Sequence, residues 1–433
     1  MNFRRASVVA VAMIAALALG NVFTTTSTVR KYSESYPAVA CPPTGSGLSS
    51  QVSTASTSTP YRKIAGKLVG FTPVKDSRFT IASDPVLLDA GTVTSIVWQS
   101  LAGVWAGSTI CTSPRGEQWF VGGAGDITSK SSLLVVNSGL SEAIVDLTIW
   151  SEKGPQPGKV LTVGANSFVR LGLDSIAAGQ TRLAILVTPR SGRVSAFLLD
   201  VRAKGLQTLG GDIVNSVGSP STEIVISGIP HQILKGKAAP HVFRVLAPGT
   251  VDANIRVDLI SKDGVFTPVG LDGRNIPKGT VLDIPLDPTL AATAFSLHIH
   301  SDQPIVASVY SPLTISGHRD FLWNTGTPQL VPMTLAVKGL QPTLVFTGDS
   351  IAMKIQTRLN SGKKVRATVS GKDIVIWKAP SNSQSITISK VSSGIYGAGL
   401  QTSSSGIGFF PLVPGSKITR AAIPSSNISV INR

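Results

Sequence analysis

Five histidines, two cysteines, a Gly-Asp-Ser triplet and one run of alternating cations are the residues of this 433-residue chain whose types could do chemistry. His298 and His300 stand two apart, so on a strand they share a face and with His318 or Asp320 would make a metal-ligand set. Their neighbours Leu297 and Ile299 alternate inward, which reads the histidines as solvent-face residues, and no metal is expected. Gly348-Asp349-Ser350 looks like the nucleophile motif of serine esterases, but that chemistry needs a downstream histidine as base, and the last one is His318. No HExxH, CxxC, Walker or GxGxxG pattern occurs, so no catalytic residue and no cofactor is assigned. Gly122-Gly123-Ala124-Gly125 reads as a turn rather than an anion cradle. Trp98, Trp105 and Trp119 flank Cys111, either as a sugar-stacking platform or, the favoured reading, as core packed on a disulfide.

The cations are the most pointed surface feature. Lys354, Gln356 and Arg358 alternate with Ile355, Thr357 and Leu359, Asn360-Ser361-Gly362-Lys363 makes a turn, and Lys364 and Arg366 alternate with Val365 and Ala367. One face of that hairpin carries Lys354, Arg358, Lys364 and Arg366, and like charges across a ladder cost a few tenths to about 1 kcal/mol per pair. The face is read either as a solvated edge that resists aggregation or as a contact for an anionic partner.

Charge elsewhere supports a local reading. Residues 1–80 carry 9 basic and 2 acidic groups, 81–320 carry 18 and 19, and 321–433 carry 12 and 2, giving net charges of +7, −1 and +10. Only Trp377 lies near the densest basic stretch, so the interleaved aromatics of a nucleic-acid surface are missing and no nucleic-acid partner is expected. Basic ends on a neutral body suit an anionic lipid or wall-polymer surface.

Arg4-Arg5 precedes the 18-residue apolar run Ala6 to Phe23, a length between a cleaved signal and a spanning helix. Either reading exports the remainder; a retained single-pass anchor with an extracellular body is favoured over a secreted chain. Cys41 does not follow the apolar run directly, which argues against a lipoprotein. The uncharged runs 90–114 and 391–416 are broken by Gly, Ser, Thr and Pro and read as strands and turns. In an oxidising compartment Cys41 and Cys111 form a natural pair, with two buried thiols as the alternative.

Behind these residues lie short alternating strands bounded by turn residues, such as Val145 to Trp150, Ile255 to Ile260 and Ile374 to Trp377. The pattern repeats: 193–197 matches 305–309 and 394–398, each preceded by an apolar strand and a turn, at 184–190, 297–303 and 386–392. The expected fold is all-β, with tandem immunoglobulin-like antiparallel β-sandwich modules after one N-terminal hydrophobic helix. Its divisions are a signal or anchor at 1–30, a β segment with the disulfide at 31–125, and modules at 126–235, 236–330 and a basic 331–433.

The stretch Gln99-Ser100-Leu101-Ala102-Gly103, Ile110-Cys111-Thr112-Ser113-Pro114 and Gln118-Trp119-Phe120-Val121-Gly122-Gly123 resembles an exported actinobacterial family, domain of unknown function family 5719. Leu133 to Asn137, Val145-Asp146-Leu147, Gly205-Leu206-Gln207 and Gly210-Gly211-Asp212 fit the same pattern. The resemblance implies an N-terminal membrane segment, an extracellular β-rich body and the cysteine pair, and it implies no activity. The expected function is a non-enzymatic envelope scaffold or interaction module, tethered or secreted, partnered by the membrane and by anionic wall polymer or envelope proteins. A glycan or anionic-polymer binding accessory is the alternative, and an envelope hydrolase a third.

Overall fold

Alternation of apolar and polar residues becomes two-faced strands: Ala143–Ser151 buries Ala143, Val145, Leu147 and Ile149 and turns Ile144 and Thr148 outward. The computed structural model describes residues 32–35, 37–45, 47–205, 207–234, 236–238, 240–416 and 419–422. The apolar segment expected as a helix within 1–30 lies outside them. Among the described residues no helix is long and apolar enough to cross a membrane, and the helical piece present is a 3-10 turn at Leu173–Ser175. The fold is all-β, and the uncharged runs at 90–114 and 391–416 form strands and turns. Near the chain ends, Tyr32–Ser35 pairs antiparallel with Thr419–Ala422.

In residues 118–214 eight strands follow in order: Gln118–Val121, Ser132–Asn137, Ala143–Ser151, Gly154–Val163, Ser167–Gly172, Leu183–Pro189, Val194–Lys204 and Gln207–Val214. The first, sixth, third and fourth lie side by side in one sheet, and the fifth, second, seventh and eighth in the other. Leu133, Val135, Val145, Leu147, Ile185 and Leu198 fill the space between them. An immunoglobulin sandwich sets ABED against CFG. Here sequence neighbours pair only at the third-fourth and seventh-eighth hairpins, a strand order of its own.

The same six pairings recur in 221–325 and 333–411. In the former, Ala294–Ile315 supplies the sixth and seventh strands without a break. In the latter, Thr343–Leu359 runs through the second and third, and Lys364–Lys378 through the fourth and fifth. The pairings also recur in 39–110, from the segment that promised only strands and a disulfide. We call these units I (39–110), II (118–214), III (221–325) and IV (333–411). The Cys41–Cys111 disulfide ties the first strand of unit I to the end of its eighth.

Successive units pack head to tail. Ala40 and Leu87 of unit I meet Leu134, Val136 and Phe197 of unit II. Trp119, Trp150 and Ala184 of unit II meet Leu246 and Val306 of unit III, and Ile260 of unit III meets Val345, Ile374 and Ala398 of unit IV. Met333–Ala336 of unit IV then pairs in parallel with Val93–Ser95 of unit I, which closes the ring. A head-to-tail contact gives a closed assembly when its rotation completes a circle.

The eighth strands meet at the centre, where their backbones touch. A Cβ on Gly211 would lie 2.7 Å from the buried Trp105 ring, and one on Gly408 would lie 2.5 Å from the Ser108 nitrogen. Gly211→Ala should therefore lower unfolding stability by about 1–3 kcal/mol through overpacking. Gly218→Ala, which meets nothing within 4 Å, should leave it nearly unchanged. Denaturant melts of the two variants check this, and equal midpoints would contradict a close-packed centre.

Candidate functional sites

The basic hairpin forms with the expected register. Arg358 stands directly opposite Lys364, Gln356 opposite Arg366 and Lys354 opposite Thr368. Lys354, Arg358, Lys364 and Arg366 are exposed, while Met353, Ile355 and Thr357 are buried on the other face. Arg366 Nε donates to Gln356 Oε1 at 3.2 Å, so a neutral acceptor separates part of the charge. None of the four cations meets a carboxylate within ion-pair distance among the described residues.

Unlike unit IV, the corresponding outward faces of units II and III carry ion pairs. In unit II, Asp146 on the third strand pairs with Arg190 at 2.5 Å. In unit III, Arg256 pairs with Asp258 at 3.3 Å, and His298 Nε2 lies 2.8 Å from Glu223 Oε1. Beside the unit IV hairpin turn, Gln341, Thr343, Asn360, Lys378, Asn382 and Gln401 help to line a polar groove of about 460 Å³.

The sequence reading missed a second polar centre, buried where the eighth strands meet. Asp320 of unit III accepts from Gly211 N of unit II at 3.3 Å, Ala106 N of unit I at 3.4 Å and Ile407 N of unit IV at 3.2 Å. One carboxylate thus gathers the other three eighth strands. Asn215 donates to Ser108 O and Phe409 O and accepts from Thr109 Oγ1. Burial pushes Asp320 up to about 7, the few backbone donors only partly opposing it. Burial also drives Asp212 well above the carboxylate range, although it accepts from Trp323 N at 2.7 Å.

Asp200 behaves differently. Burial would raise it, but Arg202 at 3.0 Å, Ser131 at 2.6 Å and the Trp323 indole at 2.8 Å hold it below the ordinary range. Arg202 sits over the rings of Tyr310, Phe321 and Trp323. Arg244 grips Asp283 with two bonds, at 2.7 and 2.9 Å, and donates to Gly123 O, tying unit III to unit II.

The remaining candidates resolve into structure. His298 and His300 share one face as expected, and Asp320 lies buried at the centre. His231 and His241 stack in a buried pair, with His241 pushed down to about 4 by burial and by His231. Asp349 and Ser350 sit on an exposed bulge of their strand. In the glycine run, Gly122 N donates to Leu183 O, Gly125 N to Gln180 O and Ala124 N to Ser131 Oγ, which makes it a turn. Trp98, Trp105 and Trp119 are 8, 1 and 4 % exposed, too covered to stack sugars. They do not gather at the disulfide either, whose neighbours are Val39, Val52 and Val97; Trp119 stacks on Trp150 instead.

A family model described as a family of unknown function (DUF5719) matches residues 72–371, and the chain belongs to that family. No curated protein matches the chain. The matched stretch includes Asp212, Asp320 and the basic hairpin.

Asp320 gives the centre a pH dependence. Between about pH 4 and 7 the folded chain holds a proton there that the unfolded chain has released, so this contribution is full below pH 4 and is lost as pH rises through 7. His241 acts oppositely, its contribution growing from about pH 4 to 6.5. Asp320→Asn leaves one acceptor oxygen for three N–H donors and should cost about 1–3 kcal/mol. Relative to the parent, its stability should fall less steeply between pH 4 and 7, the raised Asp212 accounting for the decline that remains. Parallel stability profiles of parent and variant across that window would refute the assignment.

Proposed function

We propose that this member of a family of unknown function is a non-enzymatic envelope protein that holds an anionic polymer on the basic face of unit IV. The carrying observation is the contrast between units: corresponding faces of units II and III hold ion pairs, whereas Lys354, Arg358, Lys364 and Arg366 have no carboxylate partner among the described residues. Self-repulsion between Arg358 and Lys364 is relieved when a polymer of negative charges lies across both. The apolar run at 6–23 tethers the body outside the cell membrane, or directs its secretion, and the disulfide suits that compartment.

Tandem sandwiches of immunoglobulin-like size closed into a ring make a rigid platform, which supports a scaffold reading. The gathered carboxylates Asp200, Asp212 and Asp320 are buried and bonded to backbone and side-chain donors, an arrangement that serves assembly rather than hydrolysis. The alternative role as a glycan-binding accessory moves from the buried tryptophans to the polar groove of unit IV.

A cation at an anionic surface contributes about 1 kcal/mol. Lys364→Ala with Arg366→Ala should therefore weaken binding of long-chain polyphosphate to the full chain by about thirtyfold at low salt. Raising the salt should weaken the parent in the same direction. Calorimetric titration measures both, and unchanged affinity in the double variant would overturn the polymer-binding reading. Recovery of the native chain free of membrane, wall and medium polymers would overturn the envelope role.

A further inference from the structure

The third-fourth turn of units II and III performs a task that unit IV leaves undone. In unit II, Glu152 follows Ser151 into the turn and accepts from Thr181 N at 2.9 Å, Thr181 Oγ1 at 3.0 Å and Arg182 N at 3.0 Å. Thr181 and Arg182 are the residues just before the sixth strand. In unit III the acid stands one position further into the turn, where Asp263 accepts from Ala291 N at 2.8 Å and Ala292 N at 3.0 Å, donors two residues earlier in register than those of unit II. Units II and III thus each place a carboxylate on consecutive backbone donors just before the sixth strand, whereas the third-fourth turn of unit I, residues 64–71, has no acid.

Register identifies the equivalent atoms in unit IV. Ser151 pairs with Leu183, and Leu359 pairs with Ser383, so Asn360 stands where Glu152 does, and Ser381 and Asn382 stand where Thr181 and Arg182 do. Asn360 brings no charge; its own N–H donates to Asn382 O at 2.8 Å. The N–H groups of Ser381 and Asn382 meet no acceptor among the described residues. Asn382 has φ 59°, and a turn with a left-handed residue points successive N–H groups into a concavity that attracts anions. Those residues line the groove of about 460 Å³, with the exposed cation Lys378 on its wall.

We infer that this groove binds the carboxylate of a uronic-acid polysaccharide, which takes the place that the Glu152 carboxylate takes in unit II. The inference rests on the reading of unit IV as an anionic-polymer surface and assigns it a sugar-specific subsite. The N–H groups of Ser381 and Asn382 and the ammonium of Lys378 receive the carboxylate. The side-chain amides of Asn360 and Asn382, which offer both donors and acceptors, suit the hydroxyls of the ring. The polar lining favours a sugar over a peptide, which would need apolar side-chain pockets.

Titration of the full chain with digalacturonate, its methyl ester and long-chain polyphosphate tests this. Digalacturonate should bind, and the ester should bind at least about tenfold more weakly, because the charge on the acceptor is lost. Asn360→Glu returns the internal carboxylate and should weaken digalacturonate at least about tenfold while weakening polyphosphate by no more than about fivefold, the residual polyphosphate binding showing that the variant is folded. Lys364→Ala with Arg366→Ala should do the reverse. Equal affinity for acid and ester, or no effect of Asn360→Glu on digalacturonate, would overturn the subsite. Polyphosphate binding without digalacturonate binding would remove the subsite and leave the hairpin reading standing, and binding of neither would remove both.

Discussion

The ring depends on the Asp320 carboxylate and the three backbone N–H groups it accepts. Closing four sandwiches head to tail brings four strands together at the centre, and each arrives with backbone donors that water cannot reach. A side chain that is short, carries two acceptor oxygens and sits on one of those strands satisfies the other three at once. Burial makes the charged form costly, and desolvation outweighs the opposing hydrogen bonds, which raises Asp320 to about 7. Glycine is the counterpart of that carboxylate. A Cβ on Gly210 or Gly406 would fall within 3 Å of Asp320, so the acid and the bare backbone around it are one constraint.

The hub explains why the outer sheets can differ so much. Once the eighth strands and the head-to-tail faces are fixed, the third and fourth strands of each unit lie at the far edge of their sheet. In unit I these are four and two residues long, whereas in unit IV the two strands that include them run for 17 and 15 residues. The extension carries the basic face away from the central contacts. Its charges can therefore change without disturbing closure.

Much of this was legible in the sequence where alternation was long enough to speak. Strands such as Val145 to Trp150 and the matches at 193–197, 305–309 and 394–398 mark the sixth-to-seventh crossing in units II, III and IV. Unit I escaped because most of its strands have two to five residues, too few for a period of two to rise above chance. One further signal was present: Phe71-Thr72-Pro73-Val74 recurs as Phe266-Thr267-Pro268-Val269, at or just beyond the short fourth-strand segments of units I and III. The hub was illegible because single Asp and Gly residues look like turn residues until tertiary contacts are known. The tryptophans were misplaced for a related reason: proximity to Cys111 along the chain says nothing about which of several cores each ring enters.

The functional reading rests on departures from internal repetition. Four copies of one unit share the same pairings, so each copy is a control for the others, folded under the same solvent and the same local rules. A hydrogen bond present in units II and III, such as the acid of the third-fourth turn onto the sixth-strand entry, shows what the geometry demands when the unit is self-sufficient. Unit IV keeps the geometry and omits the acid, and on the same sheet it carries cations that meet no carboxylate among the described residues. Either omission alone is an ordinary surface variation. Together, at neighbouring positions of one sheet, both leave positive potential directed outward, and this is the potential that the proposed polyanion is drawn to.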